Sequence, residues 1–569
     1  MVRRKTVAGV STDLAIILRD VGALVLMQAA LMGFTVLLAL GFGEYYVALA
    51  FLLAAVVTAA VGGIARKTFE DAPNPVMKHG MVIAAAGWFA TAVFGSIPFF
   101  LAAHLTPVSV MDSYVPAGAN YDPIRVGGAT TLSSLAYFQN PLHALFESMS
   151  GWTGSGLTMA VHEPSLPRAV QWWRSLIQWV GGVGVIVLTT AILARPGSGS
   201  YALYQAETRE ERIHPSIIHT VQTVWRIFLL YTVLAVVALF VAILWSEPRL
   251  STFESFWQAL NHAMTGLSTG GFSVTDNSIE SYDSPLVEGV LLPIMTLGAI
   301  AFPIHYVVLR DRDPDELFSD LQTRWLFILL AAGALVLSVQ NVVALSEARG
   351  AFTETGWLGL QNVRIPLAWA GFESLGLSPL AADAVRDSVF QFVSALTCTG
   401  FQSSDIGSWG AGGKLILSGA MVLGGAAGST VGGIKIIRGY LISKGIQWEF
   451  SRVFLPSSAV VNAKIGTRVL DRHQMFEEFS EAAIVSTLWI ILLITGSVIL
   501  VNVAPGFGYA DALFEVASAQ GNVGLSTGIT GPTMSPIAEG MLILNMWIGR
   551  LEIFPVLVFL RSALFGLEP

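Results

Sequence analysis

The chain has 569 residues, of which 54% are hydrophobic and only 12% charged, and it carries a net charge of -8 at pH 7. A soluble globular chain has about 25% charged residues, so most of this surface must meet lipid and the chain is a polytopic membrane protein. Its 31 Lys and Arg form no dense cluster, which argues against nucleic acid as a partner, and the single cysteine, Cys398, excludes an internal disulfide framework or a thiolate metal cluster.

The N-terminus, "MVRRKTVAGV", lacks a small-residue cleavage site, so no removable signal peptide is expected and the first span stays as an anchor. Ten apolar stretches follow that are long enough to cross a bilayer: 21–41, 45–64, 82–103, 174–193, 225–245, 286–309, 324–344, 414–437, 482–503 and 537–561. An even number places both termini on one side. With that side cytoplasmic, 21 of the 31 basic residues lie in cytoplasmic segments, as the positive-inside rule requires.

Four of the external connections contain a short amphipathic stretch: "PLHALFESMSGWTGSGLT", "TFESFWQALNHAMTGLSTGGFS", "DSVFQFVSALTCTGFQSSD" and "DALFEVASAQGNVGLSTG". Aligned without gaps on Gly156, Gly270, Gly400 and Gly524, they place Phe146, Leu260, Phe390 and Phe514 ten residues upstream. Polar Glu147, Asn261, Gln391 and Glu515 stand nine upstream, and Ser150, Ser394 and Ser518 stand six upstream in three of the four. One such tract could be a close helix contact or a turn; four aligned copies at nearly constant intervals are internal repeats.

A helix of about 12 residues is roughly 18 Å long, so it can enter a bilayer but must turn back. The returning loop carries unpaired backbone groups and survives at that depth only inside protein or around a watery cavity. The four loops therefore belong together. Glycine permits positive φ, the short helices aim their negative C-terminal ends at one region, and converging carbonyls can replace the water shell of a small cation.

The sequence is similar to the Trk/Ktr/HKT superfamily of potassium transporters, most closely the prokaryotic Trk membrane subunits, from about residue 15 to 562. The resemblance rests on "SGWTGSGLT", "HAMTGLSTGGFS", "TCTGFQSSD" and "GNVGLSTG", on "GGAAGSTVGGIKIIR" after the third, and on "IGRLEIFPVLVF" in the last span. It implies an all-α polytopic membrane fold: two N-terminal transmembrane helices (1–70), then four pseudo-symmetric helix, pore helix, filter loop and helix repeats (71–200, 201–312, 313–445 and 446–569) around one pore. The filter positions it implies are Thr153, Gly154, Ser155 and Gly156; Ser268, Thr269, Gly270 and Gly271; Cys398, Thr399, Gly400 and Phe401; and Asn522, Val523, Gly524 and Leu525. Gly156, where sodium-selective plant relatives carry serine, favours potassium. Two departures are Gly154, at an expected threonine, and Cys398, at an expected hydroxyl.

Residues 424–438 place five glycines, Gly424, Gly425, Gly428, Gly432 and Gly433, in the eighth span together with Ser429, Thr430 and Lys435. Each glycine costs a helix about 1 kcal/mol relative to alanine, so this span is expected to break, with close helix packing as the alternative. By resemblance it is an intramembrane gate loop below the filter. Arg550, 11 residues before Arg561, lies too deep in the last span to reach the membrane edge. It pairs with an acid elsewhere or, by resemblance, projects into the pore beneath the filter. Lys435 is expected to snorkel, Glu552 to point away from Arg550, and Trp172, Trp173 and Arg174 to anchor at the interface. His262 and His305 read as hydrogen-bonded helix residues.

External acids Glu163, Asp276, Asp283 and Asp405 are placed to concentrate cations at the mouth; the inserts 104–141 and 345–385 receive no role. No catalytic constellation appears, so the expected function is potassium uptake, with sodium or non-selective cation transport on the same fold as the alternative. No cofactor is expected, potassium being the substrate. The resemblance implies a homodimer in the plasma membrane, joined by a cytosolic nucleotide-binding regulatory subunit of the TrkA/KtrA type on basic loops 195–226, 310–324 and 438–472.

Overall fold

A computed structural model describes residues 6–7, 10–126, 128–193, 217–351, 379–454, 463–465, 468–470 and 472–567. Helices α1 (Thr12–Gly41) and α2 (Tyr45–Thr68) form a hairpin in which two glycines let the backbones meet: a Cβ on Gly22 would lie 2.9 Å from the Gly62 carbonyl, and one on Gly62 2.7 Å from the Gly22 carbonyl. Close approach through small residues is how helices adhere in lipid.

One arrangement then recurs: a long helix, a short helix, a loop and a second span. It comprises α3 (Met77–Leu105), α4 (Pro141–Thr153) and α5 (Arg168–Leu193); then α6 (Ile217–Ser246), α7 (Thr252–Leu267), α8 (Pro285–Ala299) and α9 (Phe302–Asp311). Next come α10 (Leu321–Ala351), α11 (Pro379–Leu396), α12 (Ala411–Leu423) and α13 (Ile436–Val453), and last α14 (Arg472–Val503), α15 (Tyr509–Gly521), α16 (Pro536–Arg550) and α17 (Phe554–Phe565). Short side chains start several of these helices. Asn140, Ser251, Ser284 and Ser535 each accept a backbone N–H of the first turn, and proline follows three of them at the first helical position.

Among the described residues six helices are long and apolar enough to cross a membrane, in α1, α2, α3, α6, α10 and α14. The eighth expected span breaks at Gly424, as its glycines require. Two others were expected to be continuous and are not. The stretch 286–309 bends by 104° between α8 and α9, and 537–561 bends by 112° between α16 and α17. Both second halves begin Phe-Pro, at Phe302–Pro303 and Phe554–Pro555, where proline bars continuation of the preceding helix. Strand structure among the described residues is limited to three two-stranded ladders.

The first hairpin is tied to the repeats by one acid in its turn. Glu44 accepts the Arg168 and Ala169 amides at 2.7 and 3.0 Å, satisfying the free N-terminus of α5. Trp173, expected at the lipid interface, is instead fully buried and meets Phe51 edge-on. Arg174 is fully buried too.

Candidate functional site

Each short helix ends in a left-handed residue: Gly154, Thr269, Cys398 and Asn522, with φ of 66, 52, 50 and 56°. The next amide turns back onto the helix. Ser155 N donates to Ser150 O at 2.8 Å, Gly270 N to Thr265 O at 2.8 Å, Thr399 N to Ser394 O at 2.8 Å, and Val523 N to Ser518 O at 2.9 Å. A second left-handed residue, always glycine, follows at Gly156, Gly271, Gly400 and Gly524.

This common pattern corrects the expected register of the second loop by one residue. Gly271, not Gly270, corresponds to Gly156. The matching upstream residues are therefore Thr265, which fills the missing hydroxyl position, and His262 in place of Asn261. The side-chain bonds agree. Glu147 accepts from Thr158 Oγ1 and Met159 N at 2.9 and 2.8 Å, Glu515 from Ser526 Oγ and Thr527 N at 2.7 and 2.9 Å, and His262 Nε2 meets Ser273 Oγ at 2.9 Å. Each holds the outer half of its own loop. In the same register the four-residue stretches are 153–156, 268–271, 397–400 and 521–524, so Thr397 and Gly521 belong to the set, while Phe401 and Leu525 stand one residue beyond it. Gly154 and Cys398 occupy the left-handed position, where glycine is the unstrained choice; the hydroxyls of the third loop are those of Thr397 and Thr399, which meet at 2.8 Å.

The loops close on one another. A Cβ on Gly156 would overlap the Gly270 carbonyl oxygen, one on Gly271 that of Thr399, and one on Gly400 that of Val523; a Cβ on Gly524 would sit 2.9 Å from the Ser155 oxygen. The carbonyl before each glycine thus abuts the glycine of a neighbouring loop, and the circuit returns from the fourth to the first. A cavity of about 160 Å³ lies against this circuit, lined by all four glycines and by Glu163 and Arg174.

Sequence reasoning missed two side chains that fix this arrangement. Gln178 on α5 donates to Gly270 O at 2.6 Å and accepts from Phe272 N at 3.0 Å. Arg174 donates to Glu147 Oε1 at 2.7 Å, Ser273 O at 2.8 Å and Thr158 Oγ1 at 3.0 Å, joining the first and second loops. Neither residue lies in a loop, so no motif marked it; a buried arginine beside tryptophans was the available signal. Insert 104–141 also reaches the first and second loops. Tyr121 donates to Asp276 at 2.6 Å and stacks on His162 with ring centroids 3.7 Å apart. Most of insert 345–385 lies outside the described residues, as do parts of the basic loops 195–226 and 438–472.

Residues 424–435 run as a loop against the bend between α8 and α9. Ala426 N donates to Ala299 O at 3.2 Å, Thr430 N to Gly298 O at 3.2 Å, and Phe302 N to Gly428 O at 3.1 Å. Gly424, Gly428 and Gly433 have positive φ, and Gly432 packs against Gly521. The Thr430 hydroxyl meets that of Thr269, in the second loop, at 2.8 Å. Arg550 is buried and donates to Thr430 O at 2.7 Å and Gly181 O at 3.0 Å, with Gly154 next to its guanidinium. Its partners are carbonyls, not the acid of a structural ion pair.

Two smaller expectations change. Lys435 does not snorkel; it is buried and turns back to the carbonyls of Val431 and Gly432. The bend after Arg550 means Arg561 is no ruler for its depth. It also brings Glu552 to Arg438, on α13, at 2.5 Å. His262 and His305 are hydrogen-bonded as expected, His305 to Leu297 O at 2.9 Å.

Converging re-entrant loops inside a bundle of apolar spans define a multi-pass membrane transporter rather than an enzyme. Residues 79–565 match the TrkH family, described as a cation transport protein, and the chain belongs to that family. An uncharacterized cation transporter of Methanocaldococcus jannaschii is 30% identical over 507 residues, covering 89% of this chain and 87% of that one. The Trk system potassium uptake protein TrkH of Halomonas elongata is 29% identical, covering 97% of this chain and 99% of its own, and that of Escherichia coli is 30% identical, covering 73% and 77%. The crystal structure of the potassium transporter TrkH from Vibrio parahaemolyticus shares the fold, with a TM-score of 0.72 at 23% identity and 97% and 99% coverage. The chain is therefore a cation transporter of the Trk type.

Proposed function

We propose that this chain is the pore-forming subunit of a potassium uptake system, with loops 153–156, 268–271, 397–400 and 521–524 as its selectivity filter. The observation that carries this is the closed circuit of carbonyls and glycines, because backbone oxygens held at a fixed spacing can stand in for the hydration shell of a monovalent cation. Potassium is favoured over sodium by the named activity of the relatives and by glycine at Gly156. Loop 424–435, held by Arg550, is the gate. The membrane potential contributes about 2.3 kcal/mol per charge per 100 mV, enough to drive uptake without chemistry in this chain.

In this reading residues 1–70 form an accessory hairpin, four filter units follow with boundaries near 200, 312 and 445, and both termini face the cytoplasm at the plasma membrane. A homodimer and a cytosolic nucleotide-binding regulatory subunit of the TrkA/KtrA type complete the system, which fits the designation of the relatives as parts of a Trk system. The test is growth of a potassium-uptake-deficient strain at low external potassium, paired with rubidium and sodium flux in proteoliposomes. Rescue with rubidium flux well above sodium flux is expected; equal or greater sodium flux would overturn the potassium assignment.

The mouth adds a pH dependence. Burial pushes the Glu163 carboxyl up to about 8, with Arg174 at 4.0 Å pulling it down and Asp276 and Glu147 reinforcing the rise. Below that pH the acid is mostly neutral; above it, ionisation adds negative charge beside the cavity and attracts cations. The half-saturating rubidium concentration should fall about threefold between external pH 7 and 9, an effect that Glu163→Gln abolishes. A variant with the parental pH profile would show that Glu163 does not titrate the mouth.

A further inference from the structure

The fourth residue of each span that follows a loop is polar, and each reaches the short helix of the next unit. Gln171 on α5 accepts from Trp257 Nε1 on α7 at 2.8 Å. Glu288 on α8 takes Arg386 on α11 through two bonds, at 2.6 and 2.9 Å. Lys414 on α12 donates to Asp511 on α15 at 2.6 Å. At the fourth junction Glu539 on α16 faces His143 on α4 at 3.7 Å, a contact beyond hydrogen-bond length. Arg168 adds a bond to Glu254 at 2.8 Å across the first junction.

These contacts form a girdle outside the four loops. Its chemistry changes at every junction: amide to indole, carboxylate to guanidinium, ammonium to carboxylate, carboxylate to imidazole. Most exchanges of partner between junctions would set like charges together or leave a charge facing a neutral group, so the bonds favour their own neighbours. The Glu288, Arg386 and Lys414 side chains are at most 10% exposed and Asp511 18%, so these bonds form where water screens them little. At the ring itself the loops meet carbonyl against glycine, with one side-chain bond between loops, Asn522 to Ser155 Oγ at 2.8 Å, and with Arg174 and Gln178 bracing the first and second. The spacing of the third loop against its neighbours therefore depends on the helices that carry them.

We infer that this girdle is the frame that fixes the width of the ring, making Glu288, Arg386, Lys414 and Asp511 positioning residues for cation selectivity. The inference rests on the filter reading above. A carbonyl ring discriminates between cations of like charge by how well its oxygens hold one spacing; loosening a junction relaxes that spacing and readmits the smaller cation. Selectivity should thus fail before transport does.

The test measures rubidium uptake and its inhibition by sodium in proteoliposomes, on protein shown to be monodisperse and thermally stable. Asp511→Asn and Arg386→Lys keep the helices intact while weakening one junction each. They are expected to lower the rubidium-to-sodium ratio about tenfold, with rubidium flux reduced less than threefold. The double exchange Lys414→Asp with Asp511→Lys restores a pair of opposite polarity and should recover the ratio to within about threefold of the parent. Folded single variants with the parental ratio, or a double exchange no better than Asp511→Asn, would overturn the inference. If the parent itself shows no cation flux, the filter reading has failed instead.

Discussion

Gly400→Ala is expected to reduce saturable rubidium uptake by at least about a hundredfold while leaving a folded protein. Its φ of +83° is one that alanine adopts only with strain, about 1–2 kcal/mol. The larger effect is steric: the new Cβ would overlap the Val523 carbonyl oxygen and lie 2.8 Å from the Gly524 Cα. Both neighbours are backbone of the fourth loop, so relief requires the ring itself to open. Gly271→Ala should behave alike, because its Cβ meets the Thr399 carbonyl at a φ of +77°. Gly270→Ala is the contrast. Its φ is not positive, and its Cβ meets the side chain of Gln178 rather than the backbone of another loop, so relief costs the bonds of Gln178 to the second loop but does not open the ring. Uptake should fall only a few-fold. Flux through Gly400→Ala near the parental value, or a larger loss for Gly270→Ala than for Gly271→Ala, would contradict the ring and its register.

Arg550→Gln is expected to raise resting rubidium flux about tenfold. Arg550 spans from Thr430 in loop 424–435 to Gly181 on α5, so its loss frees that loop. It also removes a fixed positive charge; two unit charges 10 Å apart at an effective dielectric of 20 repel by about 1.7 kcal/mol, more than a tenfold effect on rate. Arg550→Lys separates the two causes, since lysine keeps the charge but not the fork of donors. If flux in Arg550→Lys stays at the parental level, repulsion dominates; if it rises as in Arg550→Gln, the latch does. Unchanged or lower resting flux in Arg550→Gln would remove Arg550 from gating.

The loops were legible in the sequence because their constraint is written in residue type. A turn buried at membrane depth selects glycine and small polar residues, and four copies of that selection stand out from an apolar background. The register of the second loop was not legible. "TGG" offers two adjacent glycines, and only the backbone shows that Gly271 has positive φ while Gly270 bonds to Gln178. The broken eighth span was expected from glycine content. The bends after Ala299 and Arg550 were missed because the apolar run continues through both. Yet the same Phe-Pro dipeptide sits at each, and proline in an apolar span is a local signal that hydropathy averages away. The partners of Arg174 and of the girdle pairs could not be read: Glu288 and Arg386 are 98 residues apart, Lys414 and Asp511 are 97 apart, and nothing local at any of these positions implies its partner.

In the proposed reading four loops form a single dehydrating site for a monovalent cation. Anomalous diffraction from crystals grown in rubidium, at a concentration that saturates uptake, tests it most directly. A rubidium peak is predicted on the axis shared by Gly156, Gly271, Gly400 and Gly524, within coordination distance of backbone oxygens from all four loops. No peak there, or rubidium bound only elsewhere in the protein, would contradict the account.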